Sequence, residues 1–196
     1  SRREVTRIGL KKAEPVKITP NQAAQLKQQP DTPQGRRDTL LMCLLLDHGL
    51  RVGEAAALEI DDFNIADEQL RFFRPKVNKE QIHHLTRDTV NALKSCQAHG
   101  DLPMHGLILR RSLRNEELGA AGMTERAITA RVGYLGDKIG VPGLSAHDCR
   151  HFWATSAARH GTDPFVLQEA GGWSSLAMPR RYVEDNEIAN DGVKLE

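Results

Sequence analysis

The block Leu144-Ser145-Ala146-His147-Asp148-Cys149-Arg150-His151 opens an expected helix with His147 and Arg150 three residues apart, a spacing that puts both on one face. Near a helix N-terminus, where free N–H groups and the macrodipole favour anions, an imidazole and a guanidinium make a candidate phosphate site, a solvated or structural pair being the plainer use of the same residues. The same block offers a second chemistry. His147 and His151 stand four residues apart with Asp148 between them, similar to the HExxH zinc-hydrolase pattern with Asp for Glu. That reading needs a third ligand, for which no other histidine stands out, and it sets the Arg150 cation beside the metal.

Gly49-Leu50-Arg51-Val52-Gly53-Glu54 holds Arg51 in a tight turn with a carboxylate three residues on. A planar guanidinium matches phosphate oxygens two at a time, with Glu54 to orient it; an Arg–Glu pair that merely ties the turn is the plainer use of the same residues. Arg74, Lys76 and Lys79 fall at an expected hairpin tip, where cations are either solvated or turned toward a polyanion. Of the two tyrosines, Tyr134 sits inside a helical pattern and reads as packing. Tyr182 follows Arg180 and Arg181, and positive neighbours favour a phenolate, so it is the candidate nucleophile.

These residues need a scaffold, and 196 residues with 39% hydrophobic and 27% charged composition suffice for one soluble domain with an arm. The most apolar run, Leu40 to Leu46, ends at Asp47 and is too short to span a bilayer, so a cytoplasmic protein is expected. Cys43, Cys96 and Cys149 show no CxxC spacing and read as small buried apolar residues rather than disulfide or zinc partners. A net charge of +1 hides segregation. Residues 1–37 carry nine basic side chains against three acidic, and 71–87 five against one. Residues 52–70 carry six acidic and no basic ones, and 183–196 five acidic and one lysine. A basic face of this kind suits a polyanion, because each neutralised phosphate releases a counterion.

The expected fold is mainly α with one small antiparallel hairpin. Residues 1–18 read as a basic linker, 19–183 as the folded domain and 184–196 as an acidic tail. Helices are expected from Thr19, with Pro20 at its first position, to about Gln29; over 34–48, ending at Gly49; and from 50 through about 58. Strands over 69–73 and 81–86 flank the tip. Further helices are expected over 88–99, 124–139, 146–160, 163–170 and 176–183.

The order of the blocks is distinctive: GLRVGE, a hairpin lysine, HDCRH, Gly-Gly-Trp-Ser-Ser, then Arg-Tyr-Val-Glu. It resembles the catalytic domain of the tyrosine recombinases, the phage integrase family with its Cre-like and Xer-like branches, over about residues 19–182. The resemblance implies that Arg51 and Arg150 are the two catalytic arginines, His147 the histidine, Tyr182 the nucleophile and Glu54 the accessory acidic residue. The hairpin lysine falls on Lys76, with Lys79 as the alternative. Trp173, nine residues before Tyr182, stands where most members have histidine and where Cre-like members have tryptophan. An indole donates one hydrogen bond but transfers no proton, so Trp173 reads as a positioning residue. Cys149 fits an apolar core position of the block, and Asp148 is expected to be solvated.

The resemblance further implies DNA strand breakage and rejoining through a 3′-phosphotyrosine, without metal or other cofactor, in integration, excision or resolution. Arg74, Lys79, Arg180 and Arg181 become DNA-contact candidates. Double-stranded DNA and a homotetramer on paired sites are the implied partners, with no membrane. A core-binding domain upstream of this chain would attach through the linker, and the tail would dock on a neighbouring protomer. Type IB topoisomerase-like and telomere-resolving enzymes share the tyrosine chemistry and remain the alternatives, with the HDxxH zinc hydrolase as a remote one.

Overall fold

The computed structural model describes residues 14–185. Its eight helices and five strands, counted among the described residues, begin with α1 (Pro20–Leu26), capped by Thr19 and Gln22 in a reciprocal capping box. This helix stops three residues short of the expected end. The second, α2 (Pro33–His48), starts on the Thr32 cap and ends at Gly49 with φ +62°. Residues Leu40 to Leu46 along it are each no more than 2% exposed. Such a helix, apolar on all sides, can only sit at the centre. The next helix, α3 (Val52–Ala57), follows directly and turns the chain back over the core.

One three-stranded antiparallel sheet, ordered β1-β2-β3, comes next: β1 (Phe63–Asn64), β2 (Gln69–Arg74) and β3 (Lys79–His84). The hairpin closes at Arg74↔Lys79, so the first expected strand gains one residue at the tip and the second moves two residues toward it. The tip is a 3-10 turn, Pro75–Val77, completed by Asn78 with φ +46°. Phe72 and Leu70 point into the core while Phe73 and Arg71 face out, the period of a half-buried strand. After α4 (Arg87–Ala98) comes a second antiparallel pair, β4 (Arg110–Ser112) and β5 (Leu118–Gly122), absent from the sequence expectation of a single sheet.

Helices α5 (Glu125–Lys138) and α6 (Ala146–Arg159) complete the main layer; α4 and α6 pack on α2, and α5 on α3. Two short helices, α7 (Pro164–Gly171) and α8 (Ala177–Glu184), close over α6 around a smaller core of Ala158, Leu167 and Val183, against which Trp153, Trp173 and Tyr182 lean. Asp148 departs from expectation. It is buried, holds the Ser145 hydroxyl and N–H at 2.8 and 2.9 Å at the start of α6, and accepts the Val16 N–H at 2.9 Å. The last residues of the expected linker are thus tied to the helix that carries His147 and Arg150. Residues 1–13 of the linker and 186–196 of the tail lie outside the described residues.

Candidate active site

Arg51 caps α3. Its N–H donates to Glu54 Oε1 at 2.8 Å, and its guanidinium reaches Glu54 Oε2 at 3.4 Å and the Gly172 carbonyl at 3.2 Å. Arg150, one turn into α6, donates at 2.7 Å to the carbonyls of both Gly49 and Gly171. Two helix ends therefore meet on one guanidinium. Burial, then the nearby Arg51 and Arg74 cations, pull its pKa down to about 9, against Glu54 pulling the other way, so it stays charged at neutral pH.

The glycines make this approach possible. A Cβ on Gly49 would fall 2.2 Å from the Trp153 ring, and one on Gly172 would fall 2.4 Å from Arg74 Cδ. Both glycines adopt φ +62°, the left-handed cap that ends α2 and α7. Trp173 follows immediately. Its ring stacks on Trp153, with centroids 6.2 Å apart, and lies 4.2 Å beneath the Arg150 guanidinium, a cation–π contact. Its other neighbour is the Tyr182 ring at 6.1 Å.

Tyr182 lies half-buried on α8, and its hydroxyl is hydrogen-bonded to His151 Nδ1. His151 Nε2 in turn lies 3.0 Å from His147 Nε2, the two rings meeting edge to face at 4.5 Å. The expected activation of the phenol by cations is reversed in this arrangement. Burial pushes Tyr182 up to about 12, outweighing the downward pull of Arg150 and Arg181. A phenol held neutral in this way needs a base within reach.

Arg51, Glu54, His147, Arg150, Trp173 and Tyr182 are thus gathered at one place. Lys76 is exposed on the 3-10 turn of the hairpin, while Lys79 forms an ion pair with Glu169 on α7. Arg180 and Arg181 are exposed on α8, Arg180 paired with Glu184 at 3.2 Å. Arg74, expected among the DNA contacts, lies beneath the site instead of on the surface. Its side chain is fully buried and bonds Glu54 at 3.2 Å, the Gly171 carbonyl at 2.8 Å and the Ala170 carbonyl at 2.7 Å. It fastens the root of the lysine hairpin to the turn that carries Trp173 and has no surface from which to reach a phosphate. Burial lowers its pKa to about 10.

Two residues escaped sequence reasoning as members of the site. His151 figured only as a zinc-ligand candidate, although its position one turn after His147 places it on the same helix face. Arg74 read as a surface cation because its burial depends on the α7–α8 turn, distant in sequence. The zinc geometry does not form: the two Nε2 atoms face each other at hydrogen-bond distance, and among the described residues no three His, Cys, Asp or Glu side chains group as metal ligands.

The mostly helical domain thus gathers two arginines, a histidine pair and a half-buried tyrosine around one turn. The sequence pattern described as "Phage integrase family" matches residues 17–188, and the chain belongs to that family. Among similar proteins, the tyrosine recombinase XerC of Herpetosiphon aurantiacus is 29% identical over 186 residues, covering 90% of this chain and 57% of the relative. The tyrosine recombinase XerD of Pasteurella multocida is 30% identical over 185 residues, covering 92% and 60%. The chain therefore spans a little over half the length of these relatives. The fold is that of the crystallised XerA recombinase, with a TM-score of 0.69 at 22% identity, covering 92% of this chain and 63% of that one. It is also that of the Tn1549 transposon integrase in complex with transposon right end DNA, with a TM-score of 0.69 at 16% identity, covering 87% and 61%.

Proposed function

We propose that this chain is the catalytic domain of a site-specific DNA recombinase that breaks and rejoins strands through a covalent 3′-phosphotyrosine. One observation carries the reading: the Tyr182 hydroxyl, an imidazole pair and the Arg150 guanidinium are joined through direct contacts and one stacked indole. Three guanidiniums, those of Arg51, Arg74 and Arg150, crowd around the single Glu54 carboxylate and the carbonyls of residues 170–172. The surplus positive charge suits a phosphodiester.

In this reading Tyr182 Oη attacks phosphorus, and the 5′-oxygen leaves. Arg51 and Arg150 hold the non-bridging oxygens, whose charge grows in the transition state. Arg150 is preorganised for this role by its two carbonyl bonds and the Trp173 face. His147 serves as the acid–base group beside the phosphate. Lys76 on its turn gives a proton to the departing 5′-oxygen, since the Lys79 ammonium is held by Glu169. The phosphotyrosine conserves the bond energy, so a second 5′-hydroxyl reverses the step without ATP.

Double-stranded DNA is the substrate, in keeping with the Tn1549 integrase, which was solved bound to transposon right end DNA; Arg180, Arg181 and the basic linker 1–18 are the contacts, whereas Lys27, Arg36 and Arg37 are held by Asp47, Asp101 and Asp38. Exchange needs two duplexes and four protomers. The upstream core-binding domain, the docking of the acidic tail on a neighbour and a cytoplasmic location belong to the same reading. No helix among the described residues is long and apolar enough to cross a membrane. The test is a denaturing gel after incubation with a random-sequence pool of nicked suicide duplexes. A protein–DNA adduct is expected from the unaltered chain and from Tyr134→Phe, and none from Tyr182→Phe. An adduct that survives Tyr182→Phe overturns the assignment.

A further inference from the structure

The proposed reaction leaves a proton on a half-buried phenol, and the residue in contact with that phenol is His151. Its two ring nitrogens are both engaged, Nδ1 with the Tyr182 hydroxyl and Nε2 with His147 Nε2 at 3.0 Å. From the contacts among Tyr182, His151 and His147 we infer that His151 is a catalytic proton relay, carrying the Tyr182 proton to His147 during cleavage and returning it during ligation. The inference rests on the reading of Tyr182 as nucleophile.

The bonds are consistent with a single wire. With the hydroxyl donating to Nδ1, the His151 proton sits on Nε2 and donates to His147 Nε2. The opposite polarity also satisfies both contacts, with His147 donating to His151 and His151 donating to the phenol oxygen. Imidazole is the side chain whose two nitrogens accept and donate at once, which lets a proton enter at one and leave at the other.

During cleavage the Tyr182 O–H bond breaks as Oη bonds to phosphorus, and that proton goes to His151 Nδ1. The Nε2 proton of His151 passes to His147 Nε2. His151 ends neutral in its other tautomer and His147 ends as an imidazolium, while the P–O5′ bond breaks with its electron pair on the leaving oxygen. The relay extends a base to a phenol that burial holds up to about 12. His147 is exposed and shares the protein surface with solvent, so the proton ends where it is readily exchanged.

The charges around His151 come from several elements. Asp148, His147 and Arg159 belong to α6, Tyr182 and Arg181 to α8, Asp185 to the residue after it, and Lys17 to the segment before α1; most line one cavity of about 390 Å³ with His151. Their mixed sign makes the pH profile a property of the group, to be read against that of the unaltered chain.

The test compares His151→Gln with the unaltered chain on the same nicked duplexes, across pH, with DNA binding measured in parallel. A glutamine amide keeps one hydrogen bond to the phenol and cannot pass a proton. Cleavage is expected to fall about 100-fold with binding unchanged. Introducing 3,5-difluorotyrosine at 182, whose phenol ionises more readily, is expected to restore most of the loss. An unchanged rate and pH profile in His151→Gln, or a loss that the fluorinated phenol does not restore, overturns the relay while leaving Tyr182 as nucleophile. Absence of any adduct from the unaltered chain would instead sink the reading on which the relay rests. A DNA-free measurement stands beside it: nitrogen-15 spectra of labelled histidines are expected to move His151 on Tyr182→Phe and His147 on His151→Gln. A His147 signal unmoved by His151→Gln overturns the wire by itself.

Discussion

Lys76 and Lys79 stand three residues apart on one hairpin, yet the fold treats them differently: Lys79 is paired with Glu169 and Lys76 is exposed on the turn. Lys76→Ala is therefore expected to slow cleavage by about 100-fold, and Lys79→Ala to leave the rate within a few-fold. A duplex carrying sulfur at the bridging 5′ position, a leaving group that needs no proton, should restore Lys76→Ala alone. Equal loss in both variants would contradict the assignment. His48 carries a second residue-scale prediction. It is buried against Thr89, and burial first, then the Lys27 charge, lower its pKa to about 4 from the usual 6.5. The unfolded chain binds this proton more readily, so stability falls as pH drops from about 6.5 toward 4, by about 3 kcal/mol at full protonation. Urea titrations at pH 7 and pH 4.5 check this, and His48→Gln should lessen the difference, leaving the share of the neighbouring His83, which burial also lowers to about 4. At this scale the sequence was informative for residues whose roles sit within one turn of chain, such as Arg51 with Glu54 or His147 with Arg150. Arg74 was misread because its burial is decided by Ala170 and Gly171, almost a hundred residues away, and Asp148 because its capping box with Ser145, a local signal, was passed over and Val16 covers it from far along the chain.

The α7–α8 turn, 171–176, is where the separate elements become one site. Arg51, Arg74 and Arg150 all bond its first carbonyls or those just before it, so the arginines and Trp173 are placed by the same few atoms. Arg74→Ala leaves Glu54 buried with one guanidinium fewer and the Ala170 carbonyl without its side-chain donor; a loss of about 3 kcal/mol is expected. Gly172→Ala forces a side chain into a φ of +62° and against Arg74 Cδ. It should destabilise by about 2 kcal/mol. Denaturant unfolding measures both, and a change within about 0.5 kcal/mol, the scatter of neutral surface substitutions, would contradict the clamp. Helices α2 and α6 were legible because each carries a cap at its start and an end signal at Gly49 or Gly161. Strand β5, Leu-Gly-Ala-Ala-Gly, was not: it has no β-branched residue and no alternation, and it exists only by pairing with β4. The turn between them relies on Asn115 and Glu116 at positive φ; an asparagine tolerates that region, but the glutamate carries no such signal.

On the scale of the whole molecule, the helix of the proposed nucleophile is a small appendage on α6 rather than part of the main core. Only Val183 and Pro179 of α8 are buried. The segregated charge seen along the sequence, basic at the start and acidic at the end, fits a DNA-facing start and a tail reserved for a neighbouring protomer. Deleting 186–196 is accordingly expected to leave the fold and DNA binding intact and to lower the proportion of higher complexes on paired sites in native gels. Unchanged assembly would contradict the role given to the tail.

Everything proposed for the site depends on Tyr182 becoming bonded to a 3′-phosphate. Peptide mapping by mass spectrometry of the adduct trapped on a nicked suicide duplex reads that bond itself. One modified peptide is expected, containing Tyr182 and carrying a nucleotide through its 3′-phosphate. Attachment at another residue, or through a 5′-phosphate, would refute the assignment.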